Sequence, residues 1–424
     1  MRRVVKTLLL LTLTGFASWT FAETSRAPQT KPSQDTVVPK EWVKSTKHKL
    51  RFATSTIQYE AHIGELHLKD RKGKPKAAIF YTAYFKKRGD KNRPVTFVFN
   101  GGPGSSSVWL HMGLMGPKMV AFKGTQAPPP APYQIVANQH SPFLASDMVF
   151  IDPVGTGFSR PLGEHKLDEF LSVQADVQSV GDFIVRFLNE HNLWNHPKFL
   201  AGESYGTTRA AALVNHLQNR GVAINGVVLI SPILNFQTAR FSIGNDTPYP
   251  LFLPTYAATA WFHKKVAQDI GLADFVEKAR RFATQVYWPA LIQGDRLADD
   301  AKRKIANELA TLTGIRPEFW LQSNLRVPIW RFVKELRRDE GLTVGRLDTR
   351  FTGFDRDNAG ESFEFDPSYA AIVGPYTAAV NYYFRAELGL EENREYEILS
   401  FKVNREWKWH ENADGFVNVA EDLR

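Results

Sequence analysis

The chain has 424 residues, 43% of them hydrophobic, which allows a large buried core and more than one compact domain usually requires. It contains no cysteine, which excludes a disulfide framework, a cysteine nucleophile and a lipid anchor through cysteine. Its formal charge of +9 comes from both signs interleaved along the chain, so a solvated surface is expected and not a nucleic-acid footprint.

Residues 1–22 read as a signal peptide. Arg2, Arg3 and Lys6 form a basic start, Val4 to Phe16 is mostly apolar, and Thr20-Phe21-Ala22 offers a small-x-small cleavage site before Glu23. The apolar run is short and interrupted by threonine, so no stable membrane insertion is expected once it is removed. Export to the periplasm or beyond follows. Residues 23–50, rich in Thr, Lys, Pro and Ser, read as a disordered leader.

From Phe52 the chain alternates polar and apolar residues through 56–68 and again through 77–85, predicting antiparallel hairpin strands. The basic cluster Lys69 to Lys76 between them contains Gly73 and Pro75 and reads as the hairpin turn. His62 and His67 sit within this alternation without a third ligand candidate, and no motif implies a metal or an organic cofactor.

The pattern then changes. Val95 to Phe99 is a short apolar strand ending in a glycine-rich loop. Met148 to Ile151 is another, ending at Asp152-Pro153-Val154-Gly155. A helix follows, with Val173, Val177, Val180, Ile184 and Phe187 at helical steps. Lys198 to Ala201 and Gly226 to Ile230 are further strands. Alternating strands and helices predict an α/β fold with a mostly parallel sheet covered on both faces, over residues 51–235. Residues 236–380 lose the alternation and read as a mostly helical cap insertion. Helix starts are expected at Pro317-Glu318 and near Asp366-Pro367, and Trp261, Tyr287, Trp288, Trp320 and Trp330 are expected to pack within it. Residues 381–424 read as a return to the core, with a helix beginning at Val417.

Gly202-Glu203-Ser204-Tyr205-Gly206 follows one apolar strand and precedes a helix. That is the context of a nucleophile elbow, with Ser204 on the turn and at the positive end of the helix. A serine hydroxyl needs a base, an orienting carboxylate and donors for the oxyanion. Asn100-Gly101-Gly102-Pro103-Gly104, also after a buried strand, is placed to supply one donor, and the amide of Tyr205 the other.

Asn100-Gly101-Gly102-Pro103-Gly104-Ser105-Ser106-Ser107, Asp152-Pro153-Val154-Gly155-Thr156-Gly157-Phe158-Ser159 and Gly202 to Gly206 together resemble the signatures of the serine carboxypeptidase family, in the family's order. The resemblance is to its bacterial, secreted branch. It implies an α/β-hydrolase core with a helical insertion and a peptide substrate with a free C-terminus. It also implies Ser204 as nucleophile, Gly102 and Tyr205 as the oxyanion hole, and Asn100, Gly101 and Glu203 as the site of the substrate's carboxylate. A glutamate beside a bound carboxylate requires that one of the two be protonated.

The sequence departs from the family at Leu114, where eukaryotic members carry a second glutamate, and at Ser105, where a cysteine is usual. The triad Asp and His have no counterpart. Only His216, His263 and His410 follow Ser204, and each reads as a surface or packing residue, as Asp348, Asp355, Asp357 and Asp366 read as loop or cap residues. The expectation is a C-terminally truncated member lacking its last core strands, roughly 50–80 residues at ordinary element lengths. Three functions stay open: a serine carboxypeptidase, an esterase or acyltransferase using the same serine, and an inactive truncated product.

Overall fold

The computed structural model describes residues 38–52, 56–86, 92–122, 124, 129–409 and 415–423. The signal peptide, the first part of the leader and His410 lie outside the described residues.

Seven strands run through the main sheet: β1 (Trp42–Arg51), β2 (Thr56–Lys69), β3 (Pro75–Lys86), β4 (Val95–Phe99), β5 (Asp147–Ile151), β6 (Lys198–Glu203) and β7 (Gly226–Ile230). Their spatial order is β1-β2-β3-β5-β4-β6-β7, and the two-residue strand Arg160–Pro161 adds to β3. The pairs from β1 to β5 are antiparallel; β5, β4, β6 and β7 run parallel.

The hairpin of β2 and β3 closes through the basic cluster. Gly73 has φ 79°, and the Asp70 carboxylate accepts from the amides of Lys72 and Lys74 at 2.8 Å each. The cluster is a turn because one aspartate satisfies two of its amides.

β1 corrects the reading of residues 42–50 as leader. Ten residue pairs join it to β2. Its more covered side carries Trp42, Lys44, Thr46, His48 and Leu50. Three polar residues on that side hide the alternation, and the backbone ladder with the stems of Lys44 and Thr46 holds the strand in place.

Successive residues of the parallel strands enter opposite cores, as the pleat requires. Phe97, Phe99, Val149, Ile151 and Leu200 pack with α1 (Val173–His191) and α2 (Tyr205–Gln218) through Val180, Phe183, Ile184, Phe187, Leu213 and Leu217. Val98, Met148, Phe150 and Ala201 pack on the other face with Met112, Tyr383, Phe384 and Tyr396. The later part of the chain thus supplies one face of the sheet with its aromatic cover.

The region after β7 is helical, with α3 (Pro248–Phe262), α4 (Leu272–Phe282) and α5 (Asp299–Thr313) around their own apolar cluster. Tyr287 and Trp320 are buried there, whereas Trp330 is 42% exposed. Helices begin at Pro317 and, as α6 (Pro367–Tyr382), at Pro367. The Asp366 carboxylate caps α6 by accepting from the amides of Ser368 and Tyr369. The helix expected from Val417 is shorter: only the 3₁₀ turn Ala420–Leu423 forms.

Candidate active site

β4 and β6 are parallel neighbours, with Phe99 opposite Gly202. The glycine-rich loop and the serine turn therefore leave the sheet at the same end, side by side. Ser204 has φ 56° and ψ −126°, a backbone conformation that L residues rarely adopt, and it caps the start of α2. The Thr207 amide donates to the Ser204 carbonyl at 2.9 Å. A non-glycine residue held at positive φ costs on the order of 1–3 kcal/mol, and the packing around the turn must over-determine it.

That packing depends on missing side chains. A Cβ at Gly101 would overlap the backbone nitrogen of Tyr205 and lie 2.8 Å from the Glu203 carbonyl oxygen. A Cβ at Gly206 would sit 2.8 Å from the Phe99 carbonyl oxygen. The two loops touch through bare backbone, and this brings Gly102, Ser204 and Tyr205 to one cavity of about 360 Å³.

Asn100 is fully buried and joins several parts of the site. Its Oδ1 accepts from the Leu110 amide at 2.9 Å, and its Nδ2 donates to Glu203 Oε2 at 3.0 Å. Burial raises the Glu203 pKa above the ordinary carboxylate range, against the smaller opposing effect of the Asn100 hydrogen bond. The Asn100 carbonyl accepts from Arg209 Nη1 at 2.6 Å. Leu114 is 51% exposed on the turn His111–Met115 and does not line the Ser204 cavity.

Beneath the site lies a buried ion pair that no motif announces. Arg209 Nε donates to Asp176 Oδ2 at 2.7 Å, and the Tyr205 hydroxyl donates to the same oxygen at 3.0 Å. Burial works against the Asp176 charge, and Arg209 opposes that effect. The signal was present but faint. Arg209 is four residues after Tyr205 on one helix face, and Asp176 interrupts an apolar stripe of α1.

The end of the chain's described part covers the site. The Ser400 amide donates to the Gly104 carbonyl at 2.7 Å, and Asn404 Nδ2 on α7 (Phe401–Glu406) donates to the Pro103 carbonyl at 3.1 Å. Asn404, Trp409 and Arg240 line the Ser204 cavity. The sequence did not mark Trp409, Arg240 or Asn404 as site residues.

Among the described residues no histidine or carboxylate is hydrogen-bonded to the Ser204 hydroxyl. The His216 ring lies against Gly181 of α1. His263 Nε2 is 2.6 Å from the Thr349 carbonyl oxygen. Asp348 pairs with Arg350, and Asp366 caps α6. Asp355 is more than a loop residue: it forms a buried ion pair with Lys334 at 2.5 Å. Lys334 also donates to the Asp357 carbonyl at 2.6 Å.

The chain belongs to the serine carboxypeptidase family, whose model matches residues 54–297, more than half of its length. It is similar to the serine carboxypeptidase ctsa-3.2 of Caenorhabditis elegans, 33% identical over 113 residues, which is 26% of this chain and 20% of that one. Serine carboxypeptidase-like 10 of Arabidopsis thaliana is 26% identical over 170 residues, 37% of this chain and 36% of its own. The matches thus span about a fifth to a third of these relatives. A crystal structure of a prohormone-processing carboxypeptidase, KEX1(Δ)p from Saccharomyces cerevisiae, aligns over 61% of this chain and 53% of its own at 19% identity, with a TM-score of 0.34. The sheet and its covering helices are those of an α/β-hydrolase core.

Proposed function

We propose that this site is built for serine carboxypeptidase chemistry. Ser204 Oγ attacks the carbonyl carbon of the last peptide bond, and the amides of Gly102 and Tyr205 stabilise the oxyanion. The hydroxyl proton passes to a base and then to the leaving amine, the C–N bond breaks, and water hydrolyses the acyl-enzyme. The observation that carries this reading is the shared cavity, in which the positive-φ Ser204 meets Gly102 and Tyr205 beside the Asn100–Glu203 hydrogen bond. Asn100, Gly101 and Glu203 take the substrate's terminal carboxylate, with Glu203 protonated.

The base is not among the described residues. An esterase or acyltransferase is the second reading, favoured by Leu114 at the position of the second glutamate. We further read residues 51–235 and 381–424 as the core, residues 236–380 as the cap, and residues 1–22 as the export signal of a bacterial periplasmic or secreted protein. No described helix is long and apolar enough to cross a membrane.

Binding tests the proposal without needing a base. Calorimetry at acidic pH compares an N-blocked dipeptide of neutral side chains with its C-terminal amide and with a simple ester. Carboxypeptidase recognition predicts that only the free acid binds well. Equal affinity for acid and amide goes against it and favours the esterase reading.

A further inference from the structure

The Ser204 cavity contains a cation that the reading above does not use. Arg240 follows the 3₁₀ turn Phe236–Thr238, and its guanidinium carbon lies 4.3 Å from the centroid of the Trp409 ring and 5.4 Å from that of Phe236. Both rings line the same cavity as Ser204. Among the described residues no carboxylate forms an ion pair with Arg240, and no acceptor hydrogen-bonds to its side chain. Most arginines at comparable positions here are paired: Arg326 grips Asp246 through two bonds of 2.6 Å, and Arg209 holds Asp176. An arginine laid against two touching aromatic rings keeps its planar fork pre-organised and its in-plane N–H groups available. Burial lowers the Arg240 pKa, yet an arginine stays charged in a protein.

We infer that Arg240 is a specificity-determining residue that receives an ionised carboxylate of the substrate, an aspartate or glutamate side chain next to the cleaved bond. The inference rests on the peptide-binding reading of this cavity. Its geometric basis is that Arg240, Trp409, Asn404 and Ser204 share one cavity of about 360 Å³, too small to keep a bound side chain far from the guanidinium. The terminal carboxylate has its own place at Asn100 and Glu203, where it binds a protonated acid. A guanidinium instead prefers an ionised carboxylate, which it can grip through two parallel hydrogen bonds. The two carboxylates of an acidic dipeptide therefore go to different groups. Arg240 also clamps Trp409, but a purely structural clamp would give no preference for ligand charge.

Calorimetry on the full chain tests this with N-blocked dipeptides carrying a free C-terminus and a glutamate, glutamine or lysine side chain at either position, and with the glutamate peptide as its C-terminal amide. The glutamate peptide should bind about 10-fold or more tighter than the glutamine peptide, as expected for a charge-assisted contact. The glutamate amide should keep that advantage over a glutamine amide, which separates the side chain from the terminal carboxylate as the source of the gain. Arg240→Gln should abolish the preference, bringing the affinities of the glutamate and glutamine peptides to within about 2-fold of each other. Arg240→Glu should turn the preference toward lysine, and Arg240→Lys should retain part of it. Equal binding of glutamate and glutamine peptides, or a preference that survives Arg240→Gln, overturns the inference while leaving the peptide-site reading intact. Failure of every peptide to bind overturns that reading first, and the inference with it.

Discussion

Asn100 donates from Nδ2 to Oε2 of Glu203 at 3.0 Å, although the two residues lie 103 positions apart. The bond joins the loop after β4 to the serine turn after β6. Burial of the Glu203 carboxyl makes it hold its proton more tightly than usual, and the Asn100 bond only partly opposes that effect.

Binding of a free-carboxylate peptide should therefore weaken as pH rises. The ligand's terminal carboxyl ionises near pH 3.5, so affinity is greatest above that and below the raised Glu203 pKa. Above it, affinity should fall by up to about 10-fold per pH unit. Glu203→Gln is neutral at every pH and should flatten this dependence. Calorimetry of both proteins from acidic to neutral pH checks it; a parallel fall in the variant would place the titrating group elsewhere.

Asp176→Ala leaves Arg209 buried without its carboxylate and removes the hydrogen bond from the Tyr205 hydroxyl to that carboxylate. Removing one partner of such a pair typically costs about 3–5 kcal/mol. Urea unfolding of the variant should show a loss in that range. A loss below about 1 kcal/mol, as for an exposed pair, would contradict the buried geometry.

Gly101→Ala places a Cβ onto the backbone nitrogen of Tyr205. The loops must separate, at a cost of about 1–3 kcal/mol. Peptide binding should be lost more completely than stability, because the displaced atoms are those of the site. Unchanged binding would show that the loops do not meet as described.

Asp152 gives a signed pH effect on stability. Its carboxyl accepts from the Ser107 amide at 2.8 Å and from the Tyr396 hydroxyl at 2.8 Å, and complete burial pushes its pKa from 3.8 up to about 7. The folded state then holds a proton that the unfolded chain has released. The stabilisation is full below about pH 4 and is lost as pH rises to about 7, with a slope up to about 1.4 kcal/mol per pH unit. Asp152→Asn can keep both contacts, accepting from Ser107 and donating to Tyr396. Unfolding curves at several pH values should show that slope removed in the variant; an identical slope would exclude Asp152 as its source.

The outer edge of β7 carries no partner strand among the described residues, and Val228 on it is 45% exposed. An open apolar edge favours pairing between molecules. Val228→Lys should raise the soluble fraction in light-scattering assays, and no change would show that the edge is not what associates.

Much of the site was legible because its chemistry is local. Gly101, Gly206 and Ser204 are constrained by backbone conformation and close approach, which a short motif records directly. The helix starts at Pro317 and Pro367 were legible for the same reason. Trp42–Arg51 was not, because Lys44, Thr46 and His48 occupy its covered side. Arg240, Asn404 and Trp409 were not either, since their relation to Ser204 exists only once the chain after Tyr396 folds back over the loops. Asp176 was hidden by its setting in an apolar stripe, where its partner lies 33 residues ahead.

We propose Ser204 as the nucleophile, with an oxyanion site formed by Gly102 and Tyr205 and no base beside it among the described residues. Reaction with a fluorophosphonate probe, followed by intact mass and peptide mapping, tests both parts. Slow modification confined to Ser204 and absent from Ser204→Ala is expected, because an oxyanion hole and binding alone leave only a residual rate. Rapid modification, or modification that persists in Ser204→Ala, would contradict it.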